Sequence, residues 1–293
     1  MPELPEVETI RVGLVPYLVG QTIAAAEVLS SKTLTQDQVL NKIVGQRVTA
    51  LERRAKVLIM DLANGQSLLF HLKMTGQMVL VLASGQRLAG GHPTSSMAAE
   101  LPDKSTRIVF TFKNGDRLYF NDQRKFGWVK LVPTEEVMSD SLVGRLGPEP
   151  LSVNFTLTGF KDELRRHPKA PIKAVILDQS TVAGVGNIYA DESLHLAKLH
   201  PARPAGSLTP AEVKRLHAAI KTILVDSVAH GGTSFAHYVN ALGGKGDYLA
   251  HARVFHRQGQ PCPVCGTTIV KLRVAGRGTH ICPKCQKLPR ART

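Results

Sequence analysis

The sequence lacks any apolar run approaching the roughly 20 residues that a bilayer-spanning helix needs, so contact with a membrane is not expected. It also lacks the beginning of a secretory signal, since its first ten residues are acidic and amphipathic rather than basic and then apolar. Cysteine is scarce, with four residues in 293, and all four fall in Cys-x-x-Cys pairs. In an intracellular protein such pairs indicate metal binding before disulfides.

Acidic residues are also in short supply. The chain has 23 Asp and Glu against 37 Lys and Arg, which gives a net charge of +14. Such a balance favours a polyanionic partner, because clustered cations gain by neutralising phosphates. The alternative is a basic globular protein with evenly spread charge. The distribution favours the polyanion, since nine Lys and Arg follow Asp247 and no carboxylate does.

Two Asn-Gly pairs predict β-hairpins in the first half of the chain. Asn64-Gly65 and Asn114-Gly115 each separate two apolar runs, which is the strongest short-range hairpin signal. With the apolar segment 77–82, they predict an antiparallel sandwich or barrel over residues 20–132. Before it, apolar residues at three- and four-residue steps predict a helix from about Pro5 to Gly20.

The second half of the chain is predicted to be helical. Residues 133–153 have weak patterning and indicate a linker. The clearest helix has Thr209 as its cap, Pro210 at its first position and Glu212 completing a capping box.

The strongest motif is the cysteine spacing. Sixteen residues separate the two Cys-x2-Cys pairs, which predicts one structural Zn²⁺ bound by four thiolates: Cys262, Cys265, Cys282 and Cys285. A redox-active pair is the alternative. Between the pairs, Arg277 lies at the tip of a predicted hairpin, flanked by Gly276 and Gly278. It can clamp a phosphate there, or be a solvated arginine in a turn.

Two further segments could bind nucleic acid. "GVGN" ends at Asn187, and backbone N–H groups at a helix start there could bind a phosphate. A simple turn is the alternative, and a dinucleotide fingerprint is excluded because Tyr189 replaces its third glycine. In "NDQRKFGW", Arg124 and Phe126 could grip a backbone and wedge between bases, although an isolated Phe is more often a core residue.

The first residues combine Pro2 with Glu3 and Glu6. Removal of Met1 would expose Pro2 as a secondary amine, which can attack a sugar carbon and form a Schiff base. The two glutamates could supply acid and base groups. The alternative is that they are only favourable partners of a helix N-terminus.

In combination, these segments resemble the formamidopyrimidine-DNA glycosylases, bacterial enzymes that remove oxidised purines. The resemblance rests on "PELPEVE", "RRAK", "HLKMTGQ", "DQRKFG", "GVGNIYADE" and the four-cysteine finger, in this order over nearly the whole chain. Gln123 and Lys125 depart from the family, which often has Pro and Arg there.

The resemblance implies roles for individual residues. Pro2 would be the nucleophile, Glu3 the general acid and Glu6 its support. Phosphate binding would fall to Lys56, Asn187 and Arg277, with His71 and Tyr248 as further candidates. Three side chains would fill the gap left by the extruded base: Met74, Arg124 and Phe126.

The resemblance also implies an α+β multidomain fold. Residues 1–132 would form the catalytic domain, with an N-terminal helix and an antiparallel β-sandwich. After the linker, residues 154–247 would form a helix-two-turn-helix domain that binds DNA, and its segment 232–248 would cap the lesion. Residues 248–293 would form the zinc finger. The partner would be double-stranded DNA containing an oxidised base. The protein would act as a monomer in the bacterial cytoplasm, associated with the nucleoid.

Two other functions remain open from the sequence. A zinc-finger DNA-binding protein without catalysis would explain the basic tail and the cysteines, but not Pro2 beside Glu3. A glycosylase of the endonuclease VIII type would act on oxidised pyrimidines instead.

Overall fold

A computed structural model describes residues 2–30, 33, 40–91, 100–233 and 246–288. Met1 and most of the predicted capping segment at 232–248 lie outside these described residues, as does part of the loop 84–105. The chain divides into two compact units. The first contains residues 1–144 and 230–247, and the second contains residues 145–229 and 248–293.

The first unit begins with helix α1, Leu4–Leu18, followed by a short helix α2, Leu40–Ile43. Glu3 caps α1 and Pro5 lies in its first turn, close to the predicted start. In the described part of this unit, nine strands build two antiparallel sheets: β1 Ile23–Val28, β2 Val48–Arg54, β3 Val57–Leu62, β4 Gln66–His71, β5 Gly76–Val81, β6 Arg87–Gly91, β7 Thr106–Phe112, β8 Arg117–Asp122 and β9 Trp128–Pro133.

The two sheets form the predicted sandwich. One has the order β1-β7-β8-β5-β6 and the other the order β2-β3-β4-β9. Alternate residues such as Leu58, Phe70, Phe110 and Phe120 enter one shared apolar core, with the buried face of α1 packed on it. Both Asn-Gly hairpins form as predicted, between β3 and β4 and between β7 and β8.

Two connections pass between the sheets at the same end of the sandwich. Residues 72–75 join β4 to β5, and residues 123–127 join β8 to β9. They lie side by side because His71 pairs with Trp128 in one sheet while Gly76 pairs with Asp122 in the other. The turn 55–56 between β2 and β3 reaches the same edge, since Val57 pairs with His71. We call these three segments, together with the adjoining strand ends His71 and Trp128, the crossover end.

The second unit is helical, with a β-hairpin near its end. Its helices are α3 Leu157–Arg166, α4 Ile172–Leu177, α5 Asn187–Leu196, α6 Pro210–Ala229 and α7 Tyr248–His251, and its strands are β10 Val270–Val274 and β11 Arg277–Ile281. The predicted capping box of α6 forms, because the backbone N–H of Thr209 donates to Glu212 and the backbone N–H of Glu212 donates to Thr209.

The apolar core of the second unit lies mainly between α5 and α6. It includes Tyr189 and Leu194 from α5 and Leu216 and Ile220 from α6, which are completely buried. Among the described residues, no helix combines the length and the apolarity required to cross a membrane.

Candidate functional site

The N-terminal segment is enclosed rather than free. Pro2 and Glu3 are both buried, and Glu3 is only 4% exposed. The Glu6 carboxylate accepts a hydrogen bond from the backbone N–H of Glu3 at 2.8 Å through Oε2. Its other oxygen accepts from the backbone N–H and the hydroxyl of Thr233, at 2.7 and 2.8 Å. Glu6 therefore holds Glu3, the residue that follows Pro2, and links it to Thr233.

Glu8 connects α1 to the turn that carries Lys56. Its carboxylate pairs with Arg11 at 2.6 Å and with Arg53 at 2.8 Å. Arg53 also donates to the carbonyl oxygen of Ala55, next to Lys56. Burial on its own would raise the pKa of Glu8, but the hydrogen bonds and charges of the two arginines outweigh it and lower the pKa. Glu8 thus has a structural role, with Arg11 and Arg53 as its partners.

His71 lies at the crossover end, 8% exposed, with its ring centroid 5.6 Å from that of Trp128. Burial, together with the charges of Lys73 and Lys56, lowers the pKa of His71 to about 3. Its ring is therefore neutral at pH 7. Nδ1 accepts the backbone N–H of Lys73 at 3.0 Å, so the ring proton lies on Nε2. In the absence of DNA, His71 therefore offers one N–H donor and carries no charge.

The two connections of the crossover end expose the predicted wedge residues. Met74 is 42% exposed and Phe126 is 54% exposed, which distinguishes Phe126 from an ordinary core residue. The guanidinium carbon of Arg124 lies 4.9 Å from the centroid of the Phe126 ring. Large exposed apolar side chains beside a stacked arginine form a surface suited to stacking on bases.

Asp122, which the sequence does not predict as a site residue, holds these connections together. Its side chain is fully buried and accepts a hydrogen bond from the Thr75 hydroxyl. It also accepts from the backbone N–H groups of Arg124 at 3.2 Å and Gly127 at 2.6 Å. A Cβ on Gly127 would lie 2.9 Å from Phe120 and 3.0 Å from the Asp122 carboxylate, so only glycine fits there.

Left-handed backbone conformations occur in all three segments of the crossover end. Ala55, Lys73 and Lys125 have φ values of 51°, 50° and 57°. Such conformations cost free energy for residues other than glycine, and they persist where the surrounding structure fixes them. Their clustering next to Lys56, Met74 and Phe126 supports a functional role for this end of the sandwich.

In the second unit, the structure brings Asn187 and the tip of the β10–β11 hairpin together. Asn187 is the first residue of α5, and its side-chain amide donates to the carbonyl oxygen of Gly278 at 3.0 Å. Arg277 immediately precedes Gly278 and is exposed. The two-residue turn before it, Ala275-Gly276, has φ values of 48° and 76°, as a tight hairpin turn requires.

A buried ion pair anchors the same hairpin from beneath. Lys173 on α4 and Asp191 on α5 are both completely buried and lie 2.7 Å apart. Lys173 donates to the carbonyl oxygen of Gly278 and to the hydroxyl of Thr279, and Asp191 accepts the backbone N–H of His280. Because both charges are desolvated, loss of either one leaves its partner uncompensated. The pair thus fixes the strand that begins with Arg277.

Tyr248 differs from the other predicted DNA-binding residues. It is 1% exposed, and its ring packs against Tyr189 with centroids 5.5 Å apart. Tyr248 is therefore part of the apolar core of the second unit. Its contact with DNA stays a prediction.

The four cysteines form a site that fits zinc. Their sulfur atoms all lie within 4.8 Å of one another. Individual Sγ–Sγ distances include 3.4 Å for Cys265–Cys282, 3.5 Å for Cys265–Cys285 and 4.0 Å for Cys262–Cys285. A tetrahedral zinc with Zn–S bonds of about 2.3 Å requires sulfur separations of about 3.8 Å, so the four thiolates match a closed structural site.

Within each unit, the predicted residues are therefore not scattered. The first unit contains Pro2, Glu3 and Glu6 at the start of α1, and the remaining predicted residues of this unit at the crossover end: Lys56, His71, Met74, Arg124 and Phe126. Asp122, Thr75 and Thr233 were not predicted. The only signal for Asp122 was its position directly before a basic-aromatic loop.

Comparison with known proteins relates the whole chain to one group. Three family models match it: the formamidopyrimidine-DNA glycosylase N-terminal domain over residues 1–129, the formamidopyrimidine-DNA glycosylase H2TH domain over 146–238, and the zinc finger found in FPG and IleRS over 259–288. A relative from Herpetosiphon aurantiacus, named formamidopyrimidine-DNA glycosylase, is 43% identical, with 98% of this chain and 100% of the relative covered.

Solved structures agree with the family models. The complex between wild-type Lactococcus lactis Fpg (MutM) and an N7-benzyl-Fapy-dG-containing DNA has a TM-score of 0.86 and 34% sequence identity. The complex between the wild-type protein of the same organism and an oxidized-pyrimidine-containing DNA has a TM-score of 0.85 and 35% identity. In both comparisons, 98% of this chain and 100% of the other chain are covered.

Proposed function

The chain belongs to the formamidopyrimidine-DNA glycosylase family, and we propose that it excises oxidised purines from duplex DNA and then cleaves the strand at the abasic site. The observation that carries this proposal is the enclosed N-terminal segment. Here Pro2 and Glu3 are buried, and Glu6 fixes the backbone that joins them to α1.

The first chemical step uses the amine of Pro2, which exists once Met1 has been removed. The amine is a secondary amine that titrates well below a lysine, so a useful fraction is neutral at pH 7. Its nitrogen forms a bond to C1′ of the damaged nucleotide while the glycosidic bond breaks, and the base leaves with a proton. Glu3 protonates the ring oxygen of the sugar, which opens the ring and produces a Schiff base.

The Schiff base then makes strand cleavage possible. Its positive charge acidifies the proton on C2′, and loss of this proton expels the 3′ phosphate. A second elimination expels the 5′ phosphate, and hydrolysis releases the sugar fragment from Pro2. Glu6 holds the backbone of Glu3 throughout, so that the acid and the amine stay adjacent.

Four residues bind phosphates of the DNA. Lys56 and Arg277 contribute positive charge, and Asn187 and neutral His71 contribute hydrogen bonds. Extrusion of the base costs a few kcal/mol of stacking energy. Met74, Arg124 and Phe126 offset that cost by filling the gap, a role supported by their exposure at the crossover end. Tyr248 is a further candidate for DNA contact.

Zinc takes no part in the reaction, because four thiolates leave no open position for substrate. Bound by Cys262, Cys265, Cys282 and Cys285, it would supply folding free energy to the finger and thereby stabilise the hairpin that presents Arg277. In the cell, we place the protein on chromosomal DNA in the bacterial cytoplasm, where it acts as a monomer.

Oxidised pyrimidines are the second candidate substrates, because a relative has been crystallised with DNA containing one. Single-turnover cleavage of matched duplexes containing 8-oxoguanine, an oxidised pyrimidine or no lesion separates the possibilities. We expect fastest cleavage at 8-oxoguanine, with phosphate on both ends of the gap, and no cleavage of the undamaged duplex. Faster cleavage at the pyrimidine would reverse the assignment, and binding without any cleavage would show a non-catalytic DNA-binding protein.

A further inference from the structure

A histidine outside the proposed catalytic machinery contacts one of the four cysteines of the zinc site. His195 lies in the last turn of α5 and is 2% exposed. Its Nε2 atom lies 3.4 Å from the sulfur of Cys262, which is itself 3% exposed. His195 is not part of the four-sulfur cluster whose atoms lie within 4.8 Å of one another. It therefore touches a ligand without belonging to the tetrahedral set.

The protonation state of the sulfur decides which of the two atoms donates the hydrogen bond. Four thiolates and one Zn²⁺ carry a net charge of −2, and two of the cysteines are buried. A zinc-bound thiolate has no proton to give, so a hydrogen bond between these atoms requires Nε2–H to donate to Cys262. Hydrogen bonds to charged groups are among the stronger ones, and this donor spreads part of the excess negative charge.

The contact also continues a series along one face of α5. Asn187, Asp191 and His195 are spaced by four residues, so their side chains point to the same side of the helix. The Asn187 side chain donates a hydrogen bond to the carbonyl oxygen of Gly278, and Asp191 accepts one from the backbone N–H of His280. The Nε2 atom of His195 lies within hydrogen-bond distance of the Cys262 sulfur. One helix face thus contacts the finger at three places, from the tip of its hairpin to its metal site.

We propose that His195 is a positioning residue of the zinc site, whose Nε2–H stabilises the Cys262 thiolate and joins the metal site to α5. The test uses the full-length, zinc-loaded protein without DNA, so its failure would leave the proposed excision chemistry untouched. His195→Phe keeps a planar ring but removes the donor. His195→Gln keeps an N–H donor near the position of Nε2. His217→Phe is the matched control, because His217 is a half-buried histidine on α6 that bonds the carbonyl oxygen of Phe155.

Two measurements read the site directly: the zinc affinity, from competition with a chromophoric chelator, and the thiolate-to-metal charge-transfer bands after replacement of zinc by Co²⁺. We expect His195→Phe to weaken zinc binding by about 10- to 100-fold and to shift the bands. His195→Gln should retain most of the affinity, and His217→Phe should match the unmodified protein in both measurements.

Unchanged affinity and bands in His195→Phe would overturn the proposal. Equal weakening in the Phe and Gln variants would also overturn it, since it would show that packing rather than the donor matters. If His195→Phe does not fold, the Co²⁺ bands of His195→Gln decide. Bands like those of His217→Phe support the donor role, and bands typical of a lost ligand contradict it.

Discussion

Replacement of Asp122 by alanine should destabilise the first unit and selectively slow base excision from duplex DNA. The buried carboxylate accepts hydrogen bonds from the Thr75 hydroxyl and from the backbone N–H groups of Arg124 and Gly127. The Arg124 N–H keeps the Thr75 hydroxyl oxygen as an acceptor at 3.1 Å, so two donors lose their acceptor. At roughly 1–2 kcal/mol for each of them, Asp122→Ala should cost about 2–4 kcal/mol. This is a large share of the roughly 5–15 kcal/mol that stabilises a typical domain.

The single tryptophan makes the stability measurement local. Trp128 lies at the crossover end, so its fluorescence during urea unfolding reports on the affected unit. Asp116→Ala is the matched control. Asp116 is also buried in this unit, at the opposite end of β8, where it accepts from Ala83 and Asn114. Because both donors belong to exposed residues that water can reach, Asp116→Ala should lose only about 1–3 kcal/mol, without altering the crossover end.

The functional assay compares two substrates with each folded variant. Excision of 8-oxoguanine requires base extrusion, whereas trapping at a preformed abasic site does not. Asp122→Ala should therefore slow excision more than trapping, and Asp116→Ala should slow neither. Loss of less than about 1 kcal/mol in Asp122→Ala, or equal excision rates in the two variants, would refute this account of the crossover end.

Three further predictions follow from single contacts. Thr233→Val removes the hydroxyl that donates to Glu6 and should slow base excision about tenfold. Thr233→Ser keeps the hydroxyl and should restore the rate. An unchanged excision rate of Thr233→Val in single-turnover assays would contradict the role of Glu6. The pKa of Glu8 is lowered on folding, so its stabilisation is present above the unfolded-state pKa of about 4.3 and is lost as pH falls through the folded-state pKa. Glu8→Gln should accordingly be less stable than the unmodified protein at pH 7, and urea unfolding should show this difference shrink in acid. Arg277→Ala should reduce the salt dependence of DNA binding by about one phosphate contact, measured as the slope of log affinity against log salt.

Much of the fold was predictable because its signals are local. The Asn-Gly pairs fixed both hairpins, and Thr209, Pro210 and Glu212 fixed the start of α6. The cysteine spacing predicted the cluster of four sulfur atoms that the structure shows. Each of these patterns is complete within a few residues or follows a known spacing, so no knowledge of distant pairing is needed.

The supports of the candidate site could not be predicted in the same way. Glu8 finds Arg53 forty-five residues away, and Glu6 finds Thr233 at a separation of 227 residues. Asp122 and Thr75 meet only because two connections cross between the sheets at the same end. From sequence alone the glutamates near Pro2 could equally have been helix-dipole partners. Their long-range hydrogen bonds show what holds the terminal segment.

Borohydride trapping tests the central claim, that the N-terminal amine of Pro2 is the nucleophile. Zinc-loaded protein lacking Met1 is mixed with an 8-oxoguanine duplex and reduced, and the adduct is digested and mapped by mass spectrometry. We expect a covalent adduct on the Pro2 nitrogen that disappears when this amine is acetylated beforehand. An adduct on a lysine side chain, or the same yield from acetylated protein, would contradict it.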